Sequence, residues 1–193
     1  MMRRKTNMAS SMRKLIVMSA VLAVGAVAFA ADEEMVDNPA YKIWSSFKVG
    51  AMAKTEAITV AGEMKTKTEM TSELKELTAE KAVVEVKMAM VDAAGKKMEL
   101  PAQKTEIPAK VAKSKVQATK PDTKEGEEEI EVAGKKLKCK WIEMVIKMGE
   151  MTSTSKVWTS SEIPGSVAKM ESKTEGNFKS ETKMIVVEFK TGA

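Results

Sequence analysis

The sequence predicts a mainly β protein, built as a curved antiparallel sheet or open half-barrel of about 8–10 strands with a short N-terminal helix, preceded by a signal-peptide helix. Polar and apolar residues alternate with a period of two over most of the chain after residue 48, which is typical of half-buried strands. Short turns containing Gly separate these stretches, so the strands form hairpins and parallel crossovers have no room. A helix start signal is present at Asn38-Pro39.

The first 30 residues have the parts of a secretory signal peptide. Five basic residues precede an apolar stretch from Leu15 to Phe29, and Ala28-Phe29-Ala30 is a small-residue cleavage site. The apolar stretch is shorter than the roughly 20 residues that cross a bilayer as a helix. We therefore predict cleavage near Ala30 and an exported protein, periplasmic or secreted, with a single β domain at residues 31–193.

Cleavage would change the charge balance of the chain. The whole sequence has 32 Lys and Arg against 27 Asp and Glu, but five of the bases and none of the acids lie in residues 1–30, which leaves 27 against 27. A formally neutral domain gives no reason to predict a nucleic-acid partner. All Arg residues also lie in the first 30 positions, so the domain has no guanidinium group for bidentate recognition of phosphate or carboxylate.

The residue types exclude most common hydrolase mechanisms. The sequence contains no His and a single Cys, Cys139, whereas a Ser-His-Asp triad, a Cys-His pair and the usual Cys/His zinc site need more. Ser166 to Lys169 matches the S-x-x-K motif, and Lys190 to Gly192 the K-T-G motif, of penicillin-interacting serine enzymes. Because S-x-x-K also begins at other Ser residues and S-D-N is missing, these matches indicate chance. We predict no enzyme activity, no catalytic residues and no cofactor.

A short helix is predicted at residues 39–46, with Asn38 as the N-cap and Pro39 in the first turn. Tyr41, Trp44 and Phe47 follow at a spacing of three residues, which places them on one face of the helix. We expect this aromatic stripe to fill a core against the sheet, in preference to acting as a lid.

Strands are predicted next at residues 51–60, 63–77, 82–92 and 96–100. Apolar side chains line one face of the second and third of these strands. They form the candidate ligand-binding surface, which consists of Met64, Met70, Val84, Val86, Met88 and Met90. Thioether groups suit copper(I), but Met88 and Met90 point the same way as Val84 and Val86, so flexible core filling explains them. No metal site is predicted.

Residues 101–129 are less regular and contain three Pro residues among scattered Lys residues. This composition predicts edge strands at 104–107 and 110–118. We expect an irregular, mobile segment around 119–127, with its acidic residues in a solvated turn.

The last third of the chain predicts strands at residues 128–132, 136–148, 151–159, 166–174 and 178–190. The strand at 136–148 is apolar on both sides over its second half, so we expect it to be central and covered on both faces there. Cys139 shares a face with Leu137 and Trp141 and is predicted to be buried and unreactive.

A turn at Pro164-Gly165 and the nearby Trp158 are predicted to mark the fold. Pro presets one backbone dihedral of a type II turn and Gly takes the positive one. The turn would form a corner between the strand that carries Trp158 and the strand that returns from it, with Trp158 serving in packing.

Three segments of the sequence resemble a family of uncharacterised exported bacterial proteins. They are S-F-K-V-G at Ser46 to Gly50, E-V-A-G-K-K-L-K-C-K at Glu131 to Lys140, and V-W-T-S-S-E-I-P-G-S-V-A-K at Val157 to Lys169. Through W-x-S-x-x-[IV]-P-G, that family is similar to the periplasmic lipoprotein-carrier superfamily. The resemblance implies a curved antiparallel sheet whose concave face holds acyl chains under a helical lid.

Two classes of function follow from these observations. The first is an exported, non-enzymatic cell-envelope protein that binds an apolar or lipid ligand on the concave face of its sheet, with peripheral contact to the membrane. The alternative is a structural or protein-interaction module with a filled core and no small ligand. An open apolar surface on the strands that carry Met70 and Met88 would favour the first class, and strand faces that close on each other would favour the second.

Overall fold

Antiparallel strands form most of the chain that the structure describes. The structure is a computed structural model that describes residues 34–92, 95–115 and 122–192, and the predicted signal peptide lies outside these residues. The elements are β1 (Met35–Asp37), α1 (Pro39–Ser45), β2 (Met52–Ala61), β3 (Met64–Leu77), β4 (Lys81–Val91), β5 (Lys97–Glu99), β6 (Gln103–Pro108), β7 (Lys110–Ala112), β8 (Asp122–Val132), β9 (Lys135–Met148), β10 (Met151–Thr159), β11 (Val167–Glu175) and β12 (Ser180–Lys190).

Ten of these strands form one antiparallel sheet. Its order is β5, β4, β3, β2, β12, β11, β10, β9 and β8, and β6 also pairs with β4. The end strands β5 and β8 do not pair with each other in the described part of the chain, so the sheet is open. β1 and β7 form a separate two-stranded sheet. The mainly β, antiparallel and open architecture predicted from the sequence is confirmed.

The helix α1 begins where its capping residues predict. The Asn38 side-chain oxygen accepts a hydrogen bond from the Ala40 N–H over 3.0 Å, which satisfies one of the free donors at a helix start. The same side chain donates through Nδ2 to the Pro108 carbonyl oxygen over 2.8 Å. The cap therefore also ties the helix to the end of β6.

The aromatic stripe of α1 packs on the sheet as predicted. Trp44 and Phe47 are buried, and they form the helix core together with Ala51, Leu74, Ala82 and Val84. Tyr41 packs against this cluster, and its hydroxyl donates to the Thr78 carbonyl oxygen over 2.6 Å. These side chains are core residues of the fold.

The sheet curves around α1. Trp44 packs with Leu74 of β3, and a Cβ built on Gly165, in the connection between β10 and β11, would lie 3.3 Å from the Trp44 ring. In a flat sheet β3 and β10 would be about 19 Å apart, since four steps of ~4.8 Å separate them. One helix of about 10 Å diameter contacts both sides, so the face that carries Leu74 is concave at this end.

A second cluster, the corner core, lies where the curvature is strongest. It contains Ala53, Val132, Leu137, Cys139, Trp158, Ile163, Ala168 and Val186. Cα atoms of β8 and β12, four strands apart, come within 8 Å of each other. The ladders also shift register between Trp158 and Thr159 and between Val186 and Glu188, and such bulges bend a strand and redirect its side chains.

The Pro164-Gly165 turn has the geometry that its sequence predicts. The Ser166 N–H donates to the Ile163 carbonyl oxygen over 2.8 Å, which closes the four-residue turn. Gly165 has φ of +82°, the positive value that the third position of a type II turn requires. Pro164 and Ile163 are buried, so the turn contributes to the core and is more than a surface link.

Two predictions for the irregular middle of the chain need correction. Residues 113–115 form a 3₁₀ turn, so the strand predicted at 110–118 ends at Ala112, and residues 116–118 of that prediction lie outside the described residues. Residues 122–127, predicted within an irregular segment, extend β8 at its start. The acidic run is compatible with a strand because Lys residues of β9 lie opposite it, as in the Glu127–Lys140 and Glu129–Lys138 register pairs.

The prediction that β9 is covered on both faces is wrong for its second half. β9 has neighbours on both sides, β10 and β8, but Ile142 and Ile146 remain 43% and 47% exposed. Alternation showed that both sides of the strand are apolar and gave no information on what packs there. The apolar side chains of this half-strand are therefore available at the surface.

We predict that Gly165→Ala lowers the free energy of unfolding by about 2 kcal/mol, because a side chain is strained at positive φ and its Cβ would press on Trp44. Gly149→Ala is the matched control, since Gly149 has φ of +62° and nothing lies within 4 Å of the added Cβ. Gly149→Ala should lower the free energy of unfolding by about 1 kcal/mol. Urea unfolding monitored by circular dichroism measures both values, and equal losses would contradict the proposed contact between the turn and the helix.

Candidate functional site

The two faces of the central strands differ in charge. Cross-strand partners in an antiparallel sheet lie on the same face, so the register assigns each side chain. One face, which we call the neutral face, carries no Lys, Asp or Glu from β10 across to β4. It consists of Ser153, Ser155, Val157, Met170, Ser172, Thr174, Ser180, Thr182, Met184, Ala57, Thr59, Ala61, Met64, Thr66, Thr68, Met70, Ser72, Val86, Met88 and Met90.

The opposite face of the same strands is a network of ion pairs. The Lys67 ammonium lies 3.0 Å from a carboxylate oxygen of Glu56 and 3.4 Å from one of Glu69. Glu69 is also 3.2 Å from the Lys97 ammonium. The hydrogen bond with Glu56 raises the pKa of Lys67, and the hydrogen bond from Lys97 lowers the pKa of Glu69. On β2, β3 and β5 these charges of the face are matched in ion pairs.

Hydroxyl groups on the neutral face bond to one another across the strands. The Thr59 and Thr182 hydroxyl oxygens are 3.0 Å apart, and the Ser155 hydroxyl donates to that of Ser172 over 3.0 Å. Since a polar group costs less to remove from water when it already has a partner, these pairs reduce the cost of covering the face with apolar matter.

The structure places the six predicted ligand-binding residues on one face of β3 and β4. Met70 lies directly opposite Met88, and both are half-buried, as are Val86 and Met90. Val84 is different, because it is buried in the helix core beneath α1. Met64 is 59% exposed at the start of β3. Val86 packs against the same helix core, so Met64, Met70, Met88 and Met90 form the surface that α1 leaves uncovered.

Sequence reasoning missed that this surface continues across the sheet. Met184 lies between Ala57 and Met170 in the register, and the apolar side of β9 adds Ile142 and Met144 next to Val157 and Ser155. Alternation places each of these residues on one side of its own strand. It could not show that the sides coincide, because that depends on the pairing of β2 with β12.

A cleft of about 560 Å³ opens between α1 and the sheet. Its apolar lining comes from Pro39, Ile43, Phe47 and Ile163, and Lys42, Lys138 and Lys140 surround it. The remaining contributors are Ser and Thr hydroxyl groups from the end of α1 and from the corner between β10 and β11. The volume is within the range of roughly 300–1,000 Å³ that is usual for small-molecule sites.

Trp158 belongs to a stacked cluster on the charged side of the sheet. Trp158 and Trp141 are cross-strand partners, and the Lys156 ammonium lies 4.5 Å and 4.2 Å from their ring centres. Lys169 approaches Trp158 as well, at 4.6 Å. The Trp158 indole N–H donates to the Glu128 carboxylate, and this bond lowers the pKa of Glu128. These contacts support the packing role predicted for Trp158.

Cys139 is buried in the corner core beside Leu137 and Trp158. Burial raises the pKa of its thiol above the ordinary value, and a thiol that stays protonated is a poor nucleophile. Over residues 34–92, 95–115 and 122–192, no cluster of three or more acidic, Cys or His side chains suits a metal ion. No helix in this part of the chain is long and apolar enough to span a membrane.

Comparison with known proteins gives two similar solved structures. No protein-family model matches the chain, and a search of curated proteins finds no match. One similar structure is a protein described as exported, with a YmcC-like fold, from Bacteroides fragilis; it has 10% identity and a TM-score of 0.42, covering 75% of this chain and 97% of that one. The other is described as a lipoprotein from Parabacteroides distasonis, with 11% identity, a TM-score of 0.42 and coverage of 75% and 96%. The resemblance to lipoprotein carriers stays a prediction.

We predict that the Trp cluster responds to pH at a value below the ordinary glutamic acid range. Because the folded-state pKa of Glu128 is lowered from 4.5, its contribution to stability is present above that value and is lost as the pH falls through the lower folded-state pKa. Tryptophan fluorescence between pH 7 and pH 2 should therefore show a transition with a midpoint below 4.5.

Glu128→Gln should remove this transition, and Glu127→Gln, one position along the same strand and on the other face, should keep it. A transition that persists in the Glu128 variant would assign the response to another group.

Proposed function

We propose that this protein is an exported, non-enzymatic component of the cell envelope that binds the apolar part of a lipid on the neutral face of its sheet. The observation that carries the proposal is the uncharged surface that extends from β10 to β4 on one side of the sheet and continues into Ile142 and Met144 of β9. Export is supported by the basic, apolar and small-residue segments of the first 30 residues.

The composition of the neutral face suits a flexible alkyl chain. Met side chains are unbranched and adapt to irregular apolar partners, and Met70, Met88, Met170 and Met184 are distributed over neighbouring strands of this face. Their half-buried state leaves apolar area that a ligand would remove from water. Hydroxyl pairs on this face, such as Thr59–Thr182 and Ser155–Ser172, satisfy part of the hydrogen-bonding capacity of its Ser and Thr side chains. They reduce the cost of covering those side chains with an alkyl chain.

The free energy gained per buried CH₂ group sets a lower limit on the length of the ligand's alkyl chain. Each CH₂ group removed from water contributes about 0.8 kcal/mol, whereas association costs at least ~4 kcal/mol in lost freedom and more for ordering a chain. About fifteen buried CH₂ groups are therefore needed for micromolar binding on an open surface. A long acyl chain satisfies this requirement, and a small apolar metabolite does not.

The alternative of a structural or interaction module is supported by one observation. Leu74 and Val84, at the helix end of the concave face, are already covered by Trp44 and Phe47. That part of the face is filled from within the chain. The proposal therefore places the lipid on the uncovered part, between Met184 of β12 and Met144 of β9.

The experiment is to purify the protein from an exporting host and to analyse its organic extract by mass spectrometry. We expect about one lipid per protein chain, and a tenfold or greater loss of that lipid in Met184→Glu, because a charge on the neutral face opposes burial of an alkyl chain. Circular dichroism checks that each variant is folded.

Ile58→Glu is the matched control. Ile58 is exposed on the other face, opposite Lys67 and Lys183, so a carboxylate is compatible with its surroundings. Its lipid content should equal that of the unmodified protein. An extract without stoichiometric lipid, or equal loss in both variants, would overturn the proposed function in favour of the structural module.

A further inference from the structure

The cleft beside α1 combines an apolar floor with unpaired cations. Lys42 lies in the last turn of α1, and Lys138 and Lys140 are alternate residues of β9 that point to the same side. All three side chains are exposed at the rim of the cleft. Ile43, Phe47 and Ile163 supply apolar surface within it.

These three lysines form no ion pair with the acids of the described chain. Most Lys residues of the sheet are in ion pairs, as Lys67 and Lys169 are at 3.0 Å and 2.9 Å from carboxylate oxygens. Single Lys residues elsewhere on the sheet, such as Lys54 and Lys65, also lack an ion pair within the described residues, but the cleft brings three such residues together. Within residues 34–92, 95–115 and 122–192, the cleft is therefore a place where positive charge is left unmatched.

The acids of the neighbouring strand β8 compensate for this charge only in part. Glu127 and Glu129 lie opposite Lys140 and Lys138 in the register. Glu129 is engaged by Lys136, at 3.7 Å between the ammonium and a carboxylate oxygen, and Glu127 comes within ion-pair distance of no described Lys. Three ammonium groups at the cleft thus outnumber the two uncommitted carboxylates of Glu127 and Glu162, the latter lying between the cleft residues Ser161 and Ile163 in the chain.

The lysines continue directly into the apolar side of β9. Lys138, Lys140, Ile142, Met144 and Ile146 occupy alternate positions of β9 and so follow one another on a single side of the strand. From Lys140 to Ile146 the strand extends about 20 Å. A cationic end followed by an apolar track matches a molecule with an anionic head and a long alkyl chain.

We infer that the cleft binds the carboxylate head group of a long-chain anionic amphiphile, a fatty carboxylate, while the alkyl chain lies along Ile142, Met144 and Ile146. This inference rests on the proposed function and adds the charge and orientation of the ligand. Lys138 and Lys140 contact the carboxylate, and Lys42 closes the cleft from the helix.

The test uses the protein purified from an exporting host, stripped of lipid, and two probes with the same chain. These are cis-parinaric acid and its methyl ester, each titrated below its aggregation concentration and followed by fluorescence. We expect the acid to bind about tenfold more tightly than the ester, because exposed ion pairs each add a modest increment. The preference should weaken between 0.05 M and 0.5 M salt, since screening shortens the range of the attraction.

Substitution of the cleft lysines measures the contribution of the head group to binding separately from that of the alkyl chain. In the double variant Lys138→Gln/Lys140→Gln, the affinity for the acid should fall until it equals the affinity for the ester. The affinity for the ester should stay unchanged. Lys136→Gln is the matched control, because Lys136 is on the same side of β9 but is paired with Glu129. It should retain the preference for the acid.

The outcomes distinguish this inference from the proposed function. Equal binding of acid and ester, or a preference that survives in the double variant, would overturn the assignment of the cleft while leaving lipid binding intact. Binding of neither probe would overturn the proposed function itself. Loss of ester binding in the double variant would show that the two lysines support the fold of the site, and this too would contradict the inference.

Discussion

The packing of Trp44 between the sheet and the corner at Gly165 is the interaction on which the rest of the structure depends. Trp44 contacts Leu74 on one side and has the Gly165 backbone against its ring on the other. A short helix thereby joins strands that would be far apart in a flat sheet. The curvature that results makes the face that carries Leu74 concave at this end of the sheet.

Curvature alone would not make a binding surface, and the segregation of charge supplies the second requirement. Lys and Glu residues alternate with Met, Thr, Ser and Ala residues along each central strand, so ion pairs such as Glu56–Lys67 collect on one side of the sheet. The other side is left without charge. Because the ion pairs are matched, the charged side keeps the domain hydrated while the concave side remains suited to apolar matter.

Local features of the fold followed from the sequence more readily than long-range ones. The Asn38 cap, the aromatic stripe of α1 and the type II turn at Pro164-Gly165 are set by residues close together in the chain, and all three were predicted. The pairing of β2 with β12 joins residues 52–61 to residues 180–190, and no local pattern encodes it. The full neutral face depends on that pairing, which is why only its β3–β4 part was predicted.

Other differences between prediction and structure arise because the type of a residue does not show which residues lie next to it in the fold. The acidic run before Glu128 predicted a solvated turn, but in the β8–β9 ladder its members lie opposite Lys residues, which makes a strand acceptable. The apolar residues on both sides of β9 suggested a covered strand, yet Ile142 and Ile146 remain 43% and 47% exposed. The cleft lysines were missed for the same reason, since Lys138 and Lys140 become a site only when α1 is placed above them.

The central claim is that an alkyl chain lies on the neutral face, and the methionines of the protein offer a direct measurement. With ¹³C-labelled Met methyl groups, a stearic acid that carries a nitroxide on its chain should broaden the NMR signals of Met144, Met170 and Met184. It should leave Met52, which lies on the charged face of β2, unaffected. Equal broadening of Met52 and Met184, or no broadening of either, would contradict the account.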